Sequence, residues 1–333
     1  MESHFKKSQI QPHDLERAKS IIANIDSLYS QKVVGQNLMK ETLLCGLLSG
    51  GHILIESVPG LAKTTAASAL AHSISGSFKR IQCTPDLMPN DIVGTQIYNF
   101  NSSSFTTQLG PVHANLVLLD EINRSSAKTQ SAMLEAMQEG QTTIGGKDYK
   151  LPQPFMVLAT QNPIEEEGTY ILPEAQLDRF LLKTVIEYPT KEEEKIVLSK
   201  IVDGSQARDI SGTPATLGDI KFLITLARKV HISENIYQFI IDIINASRPE
   251  TSTIENLNLR VRVGASPRGS IAFAICSQSL ALLRGRDYVI PEDVQDLKYS
   301  VLRHRLVRTF DALADEITPE SIIDDIFNQI KVP

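Results

Sequence analysis

The sequence predicts an α/β protein, a parallel sheet flanked by helices, followed by a smaller all-helical domain. Three observations carry this prediction. Short apolar runs at residues 52–56, 79–83, 116–119 and 155–160 are separated by stretches with helical periodicity, the pattern of strands joined by crossover helices. The first run ends in a Pro and Gly turn and passes into an alanine-rich helical stretch beginning near Lys63. Beyond Tyr188-Pro189-Thr190, strand patterns nearly vanish and helical ones continue to the end.

Taken in order, residues 14–31 place Ile21, Ile22, Ile25 and Leu28 on one helical face. A second helix follows Gly35 and runs through Leu38, Leu43 and Leu47. The strand, loop and helix at residues 52–63 come next, then the strands at 79–83, 116–119 and 155–160. Two strand-like pieces between Thr142 and Leu151 flank Gly145-Gly146, the dipeptide of a tight hairpin, so a hairpin is expected to interrupt the core. Pro189, Thr190 and the acids Glu192 to Glu194 read as a helix start and a junction. The expected domains are therefore residues 1–189 and 190–333.

At 333 residues, 42% of them hydrophobic and 22% charged, the chain suits two globular domains. A net charge of -6 supplies no field that gathers a polyanion, so nucleic acid is not the expected partner. Cys45, Cys83 and Cys276 offer neither a disulfide framework nor a zinc spacing. No signal peptide or membrane-spanning run is readable, so a cytoplasmic protein without membrane insertion is expected.

Five sites carry chemistry. Ser57-Val58-Pro59-Gly60-Leu61-Ala62-Lys63-Thr64 lies between strand and helix, where backbone N–H groups and a helix N-terminus favour polyphosphate. Lys63 would reach the β- and γ-phosphates and the Thr64 hydroxyl would bind Mg²⁺, although Ser57 and Ala62 stand at glycine positions of the general pattern. Asp120 and Glu121 end an apolar strand, where one carboxylate can hold Mg²⁺ and its neighbour can orient or deprotonate the attacking water. Asn162, after the strand at 155–160, offers an uncharged amide for the water or the γ-phosphate. Arg179 can neutralise charge on a transferred phosphoryl group from a subunit edge. Ser266 and Pro267 start a helix that places Arg268 where it can contact phosphate and couple nucleotide state to domain angle. Each of these also has a plain reading as turn, solvated acid, surface ion pair or capped helix.

The ordered set resembles the AAA+ superfamily, and the wording of several stretches resembles its MoxR branch. The stretches are VVGQ, VPGLAKT, TPDLMPNDIVGT, LLDEINRSSAKTQSAMLEAMQEGQ, ATQNPIEEEGTYILPEAQLDRF, GASPRGS and LLRGRDYVIPEDV, spread over about residues 14–310. The resemblance makes VPGLAKT the Walker A loop, Asp120 and Glu121 the Walker B pair, Asn162 sensor 1, Arg179 an arginine finger acting in trans and Arg268 sensor 2. Val33 and Val34 fall where the family packs the adenine. Ser57, where glycine is usual, and Cys83, where Phe is common, are departures, and the serine puts nucleotide affinity in question.

The resemblance further implies ATP and Mg²⁺ as cofactors, a hexameric ring, an inserted hairpin and a helical lid. It implies a chaperone-like ATPase that remodels or matures a partner complex, often with a von Willebrand factor A domain protein. Two other readings stay open: a nucleotide-gated scaffold with negligible turnover, motivated by Ser57, and a DNA motor, motivated by Arg303, His304, Arg305 and Arg308, whose plain alternative is a solvated face. His52 and His113 flank strands and read as core or edge residues, and Asp86, Asn90 and Asp91 read as a polar loop without assigned chemistry.

Overall fold

The computed structural model describes residues 10–58, 60–101, 103–163, 170, 172–203 and 211–333. Contacts gather the chain into two compact units. One holds residues 23–180 and 184–221; the other holds residues 222–333, the strand start at 181–183 and the chain up to Ile22.

The first unit is organised by strands β1 (Ile53–Glu56), β2 (Phe78–Gln82), β3 (Gly94–Asn99), β4 (Ser104–Leu109), β5 (Leu116–Asp120), β6 (Gln141–Ile144), β7 (Lys147–Lys150), β8 (Met156–Gln161) and the end of β9 (Leu182–Val185). Five of them form one sheet in the order β2-β5-β8-β1-β9. The pairings of β2 with β5, β5 with β8 and β1 with β8 are parallel. Parallel strands lie between helical layers and are apolar on both faces. Leu116, Val117, Leu118 and Leu119 are accordingly buried, as are Ile53, Leu54 and Ile55. The helix Lys63–Ser73 buries Ala66, Ala67 and Ala71 and contacts β2 and β5.

The helix Pro12–Lys32 buries Ile25 and Leu28, and the helix Asn37–Ser49 buries Leu43 and Leu47 while Leu38 remains outside. The expected hairpin is present as β6 and β7, antiparallel, with Gly145 and Gly146 at φ 57° and 77° in its turn. A second hairpin, β3 with β4, was not legible in the sequence. Its strands are largely exposed, so no apolar alternation marks them, and Tyr98 lies edge-on to Phe100 and Phe105 at its tip. The hairpins meet at Thr107 Oγ1 and Tyr149 Oη, 2.8 Å apart. Asn90 and Asp91 belong to a short helix, Pro89–Val93, where Asp91 accepts the Met88 N–H.

The second unit is helical, with one short antiparallel pairing of β10 (Val261–Val263) and β11 (Val307–Arg308). The helices Glu234–Ala246, Pro267–Leu283 and Pro319–Gln329 share a core in which Phe327 lies 6.3 Å from both Phe239 and Phe273. The basic run is dispersed into this unit rather than displayed. Arg305 is buried and donates to Val301 O and Leu181 O, Arg303 pairs with Glu320, Arg308 donates to Ile317 O, and His304 is buried. It is neither an open basic surface nor a solvated face.

Candidate functional site

Register brings the predicted chemistry to one edge of the sheet. Gln82 pairs with Asp120, Leu119 with Ala159 and Glu56 with Gln161, so β2, β5, β8 and β1 end side by side. The Ser57 N–H donates to Gln161 O at 3.1 Å and extends this alignment into the loop after β1. The loop carrying Lys63, the carboxylates after β5 and Asn162 after β8 therefore leave from neighbouring strands at the same end. Ligands of open α/β sheets sit at that edge.

In the phosphate-type loop, positive φ falls on Gly60 (87°) and Ala62 (54°), not on Ser57. Ser57 is buried and its hydroxyl donates to Val58 O at 3.1 Å. The strain expected of a serine in a glycine position is thus carried by Ala62, which costs on the order of 1 kcal/mol. Ala62 is also the N-cap of the helix Lys63–Ser73 and offers its first N–H groups no side-chain acceptor. The helices beginning at Ala127, Glu234 and Pro267 are capped by Ser126, Ser233 and Ser266. Uncapped N–H groups beside the half-buried Lys63 and Thr64 leave a site suited to an anion. Leu61 is buried beneath this loop, Val58 is half-buried, and Pro59 lies outside the described residues.

The two carboxylates are held by different partners. Thr160, wholly buried, donates its hydroxyl to Asp120 Oδ1 at 2.9 Å and accepts the Glu121 N–H at 2.9 Å. Arg80 donates Nη2 and Nε to Asp120 Oδ2 at 2.5 and 3.1 Å. Glu121 turns out of the strand at φ 59°, and its carboxylate meets Arg124 Nε at 3.0 Å and the Gln82 amide at 3.3 Å. Asp120 is largely buried while Glu121 is half-buried, so the first is fixed and the second faces the open edge. Asn162 is buried at the end of β8. Burial pushes the nearby Cys83 thiol up to about 12, which keeps it protonated.

Thr64 and Asp120 supply one hydroxyl and one carboxylate, hard oxygen donors of the kind Mg²⁺ takes when water and phosphate complete its shell. The described residues hold no cluster of three or more His, Cys, Asp or Glu that would cage a metal.

Val33 is buried and Val34 half-buried in a turn completed by Gly35 and Gln36 at φ 63° and 53°. Gln36 donates to Glu187 O at 3.3 Å, and the Glu193 side chain packs onto Gly35, so the turn is clamped to the stretch after β9. Arg179 is exposed beside the fully buried Phe180, an anchor that presents the guanidinium outward. Arg268 is exposed in the first turn of Pro267–Leu283, where Ser266 Oγ accepts its N–H at 3.1 Å. It belongs to the second unit.

Sequence reasoning missed Arg80, Gln82, Arg124 and the role of Thr160. Arg80 and Gln82 lie about forty residues before their partners, and only strand register joins them.

Residues 52–182 match the model of the ATPase family associated with various cellular activities (AAA), and residues 255–326 match the AAA lid domain. The chain is 47% identical to Chaperone MoxR1 of Mycobacterium tuberculosis, over 96% of this chain and 83% of that one. It is 44% identical to the protein YeaC of Bacillus subtilis, over 90% of this chain and 91% of that one. A crystal structure from Cytophaga hutchinsonii superposes with a TM-score of 0.90 at 40% identity, covering 96% of this chain and 97% of the other.

Proposed function

The chain belongs to the MoxR family of AAA+ ATPases, and on that premise we propose that it couples Mg²⁺-dependent ATP hydrolysis to chaperone-like remodelling or maturation of a partner protein complex. The observation that supports this best is the shared edge where the loop after β1, Asp120 with Glu121, and Asn162 end side by side. Residues 1–189 would be the nucleotide-binding core and 190–333 the lid.

Lys63, Thr64 and the free N–H groups after Ala62 bind the phosphates, while Val33 and Val34 take the adenine. Thr64 and Asp120 would hold Mg²⁺, which would supply charge neutralisation at the phosphates. Glu121 orients the lytic water and accepts its proton, and Asn162 positions that water without adding negative charge. Arg179, outward-facing, serves the site of a neighbouring copy in a hexameric ring, and Arg268 reports nucleotide state to the lid.

A protein client, a von Willebrand factor A domain protein as the partner, and a cytoplasmic setting complete the reading. Among the described residues no helix is long and apolar enough to cross a membrane. The DNA-motor reading loses its motive with the dispersal of Arg303, Arg305 and Arg308.

The test is steady-state and single-turnover phosphate release by the parent and by Glu121→Gln. The variant is expected to keep ATP affinity and lose turnover by about a hundredfold or more. Equal turnover in both would overturn the hydrolytic assignment. A parent that binds ATP but releases no phosphate in a single turnover would leave the nucleotide-gated scaffold.

A further inference from the structure

We propose that Arg80 is a positioning residue that competes with the divalent cation for Asp120 and thereby sets how much Mg²⁺ the site requires. This rests on the nucleotide-site reading above. Thr160 occupies Asp120 Oδ1, so Oδ2 is the oxygen left to face a cation, directly or through water. Oδ2 is also where both Arg80 donors converge, at 2.5 and 3.1 Å.

A guanidinium is charged at every accessible pH, so Arg80 acts on Oδ2 as a permanent cation of the protein's own. The pair is unequal. The Asp120 side chain is 12% exposed, whereas that of Arg80 is 49% exposed. The carboxylate is fixed by its strand and by Thr160; the guanidinium reaches it from solvent and can move off along its flexible stem.

Arg80 also governs the neighbouring acid. Its Nη2 donates to Gln82 Oε1 at 2.8 Å, which turns the Gln82 amide toward Glu121 Oε2 at 3.3 Å. Arg80 and Gln82 alternate onto one face of β2, and the register of β2 with β5 sets them beside Asp120. Without a metal, Arg80 therefore balances Asp120 and orders Glu121 through Gln82. An arriving divalent cation meets a like charge a few ångströms away and must displace or share Oδ2.

The experiment titrates MgCl2 into the parent, Arg80→Gln and Arg80→Lys, each with fluorescent mant-ADP, and reads the Mg²⁺ midpoint of nucleotide binding; binding in EDTA gives the metal-free reference. Removing the competing charge is expected to move the Arg80→Gln midpoint to lower Mg²⁺ by about threefold or more, the solvent exposure of Arg80 keeping the effect modest. Arg80→Lys retains the charge and is expected within about twofold of the parent. Should Arg80→Gln fail to fold, Arg80→Met, of similar length and uncharged, carries the same expectation. An uncharged variant whose midpoint is unchanged or moves to higher Mg²⁺ overturns the proposal, as does a lysine variant that shifts as far as glutamine. If the parent shows no Mg²⁺-dependent mant-ADP binding, the nucleotide-site reading falls and this inference with it; a Mg²⁺-dependent parent with an unmoved Arg80→Gln sinks only the inference.

Discussion

Thr160 and Asp120 are joined by a hydrogen bond of 2.9 Å inside the sheet, and the same hydroxyl receives the Glu121 N–H. One side chain thus fixes both acids of the candidate site, one through its carboxylate and the other through its backbone. Thr160→Val keeps the shape but removes both bonds, leaving a buried acceptor and a turn N–H without partners. The expected loss is about 1–3 kcal/mol of stability, read by chemical denaturation, with a tenfold or larger fall in kcat. Thr160→Ser is expected to restore most of both; a valine variant with parental turnover contradicts the role.

Ser57 has ordinary backbone geometry, because positive φ falls on Gly60 and Ala62. Ser57→Gly therefore relieves no strain there and adds backbone freedom to the unfolded chain, costing about 0.5–1 kcal/mol. Nucleotide affinity measured by mant-ADP titration is expected to stay within about threefold of the parent, since no contact with phosphate is gained. A tenfold gain in affinity would show that the hydroxymethyl obstructs the ligand.

Gly264 lies against the backbone of Ser247, where an added Cβ would come within 2.3 Å of the Ser247 carbonyl oxygen. That neighbour cannot rotate away, and the turn also carries the Ala265 N–H to Ser247 Oγ bond at 3.0 Å. Gly264→Ala is expected to cost about 2 kcal/mol or more and to displace the helix start that holds Arg268. Hydrogen exchange should rise at residues 264–270 while the sheet of the first unit keeps its protection; unchanged exchange at that turn contradicts the steric argument.

His52 is buried between the sheet and the helix Ala127–Glu139, accepting the Val157 N–H on Nδ1 at 3.0 Å and bonding Met137 O through Nε2 at 3.0 Å. This arrangement requires the neutral ring. Burial lowers its pKa to about 4, against the opposing pull of the Met137 carbonyl. The unfolded chain takes up the proton near pH 6.5, so its stabilising effect is complete above that pH and is lost as pH falls toward about 4. The full loss is about 3 kcal/mol. Denaturation midpoints between pH 7 and pH 4 are expected to fall more steeply in the parent than in His52→Gln, and equal slopes would remove His52 from the acid response.

The sequence alone determined four of the five strands of the main sheet, missing β9, together with the loop with Lys63 and Thr64, the adjacent acids, and the β6–β7 hairpin. These are signals written by neighbours in the chain: unbroken apolar runs, glycines in a tight turn, and motif residues at the ends of strands. Only the tertiary structure decided that β3 and β4 form a hairpin, because strands exposed on their faces carry no burial pattern to read. It alone decided that Arg303, Arg305 and Arg308 turn inward to partners, and that Arg80, Gln82, Thr160 and Arg124 order the two carboxylates. Most of those partners lie far apart along the chain, and their distances follow from strand register and helix packing, which no local spacing encodes.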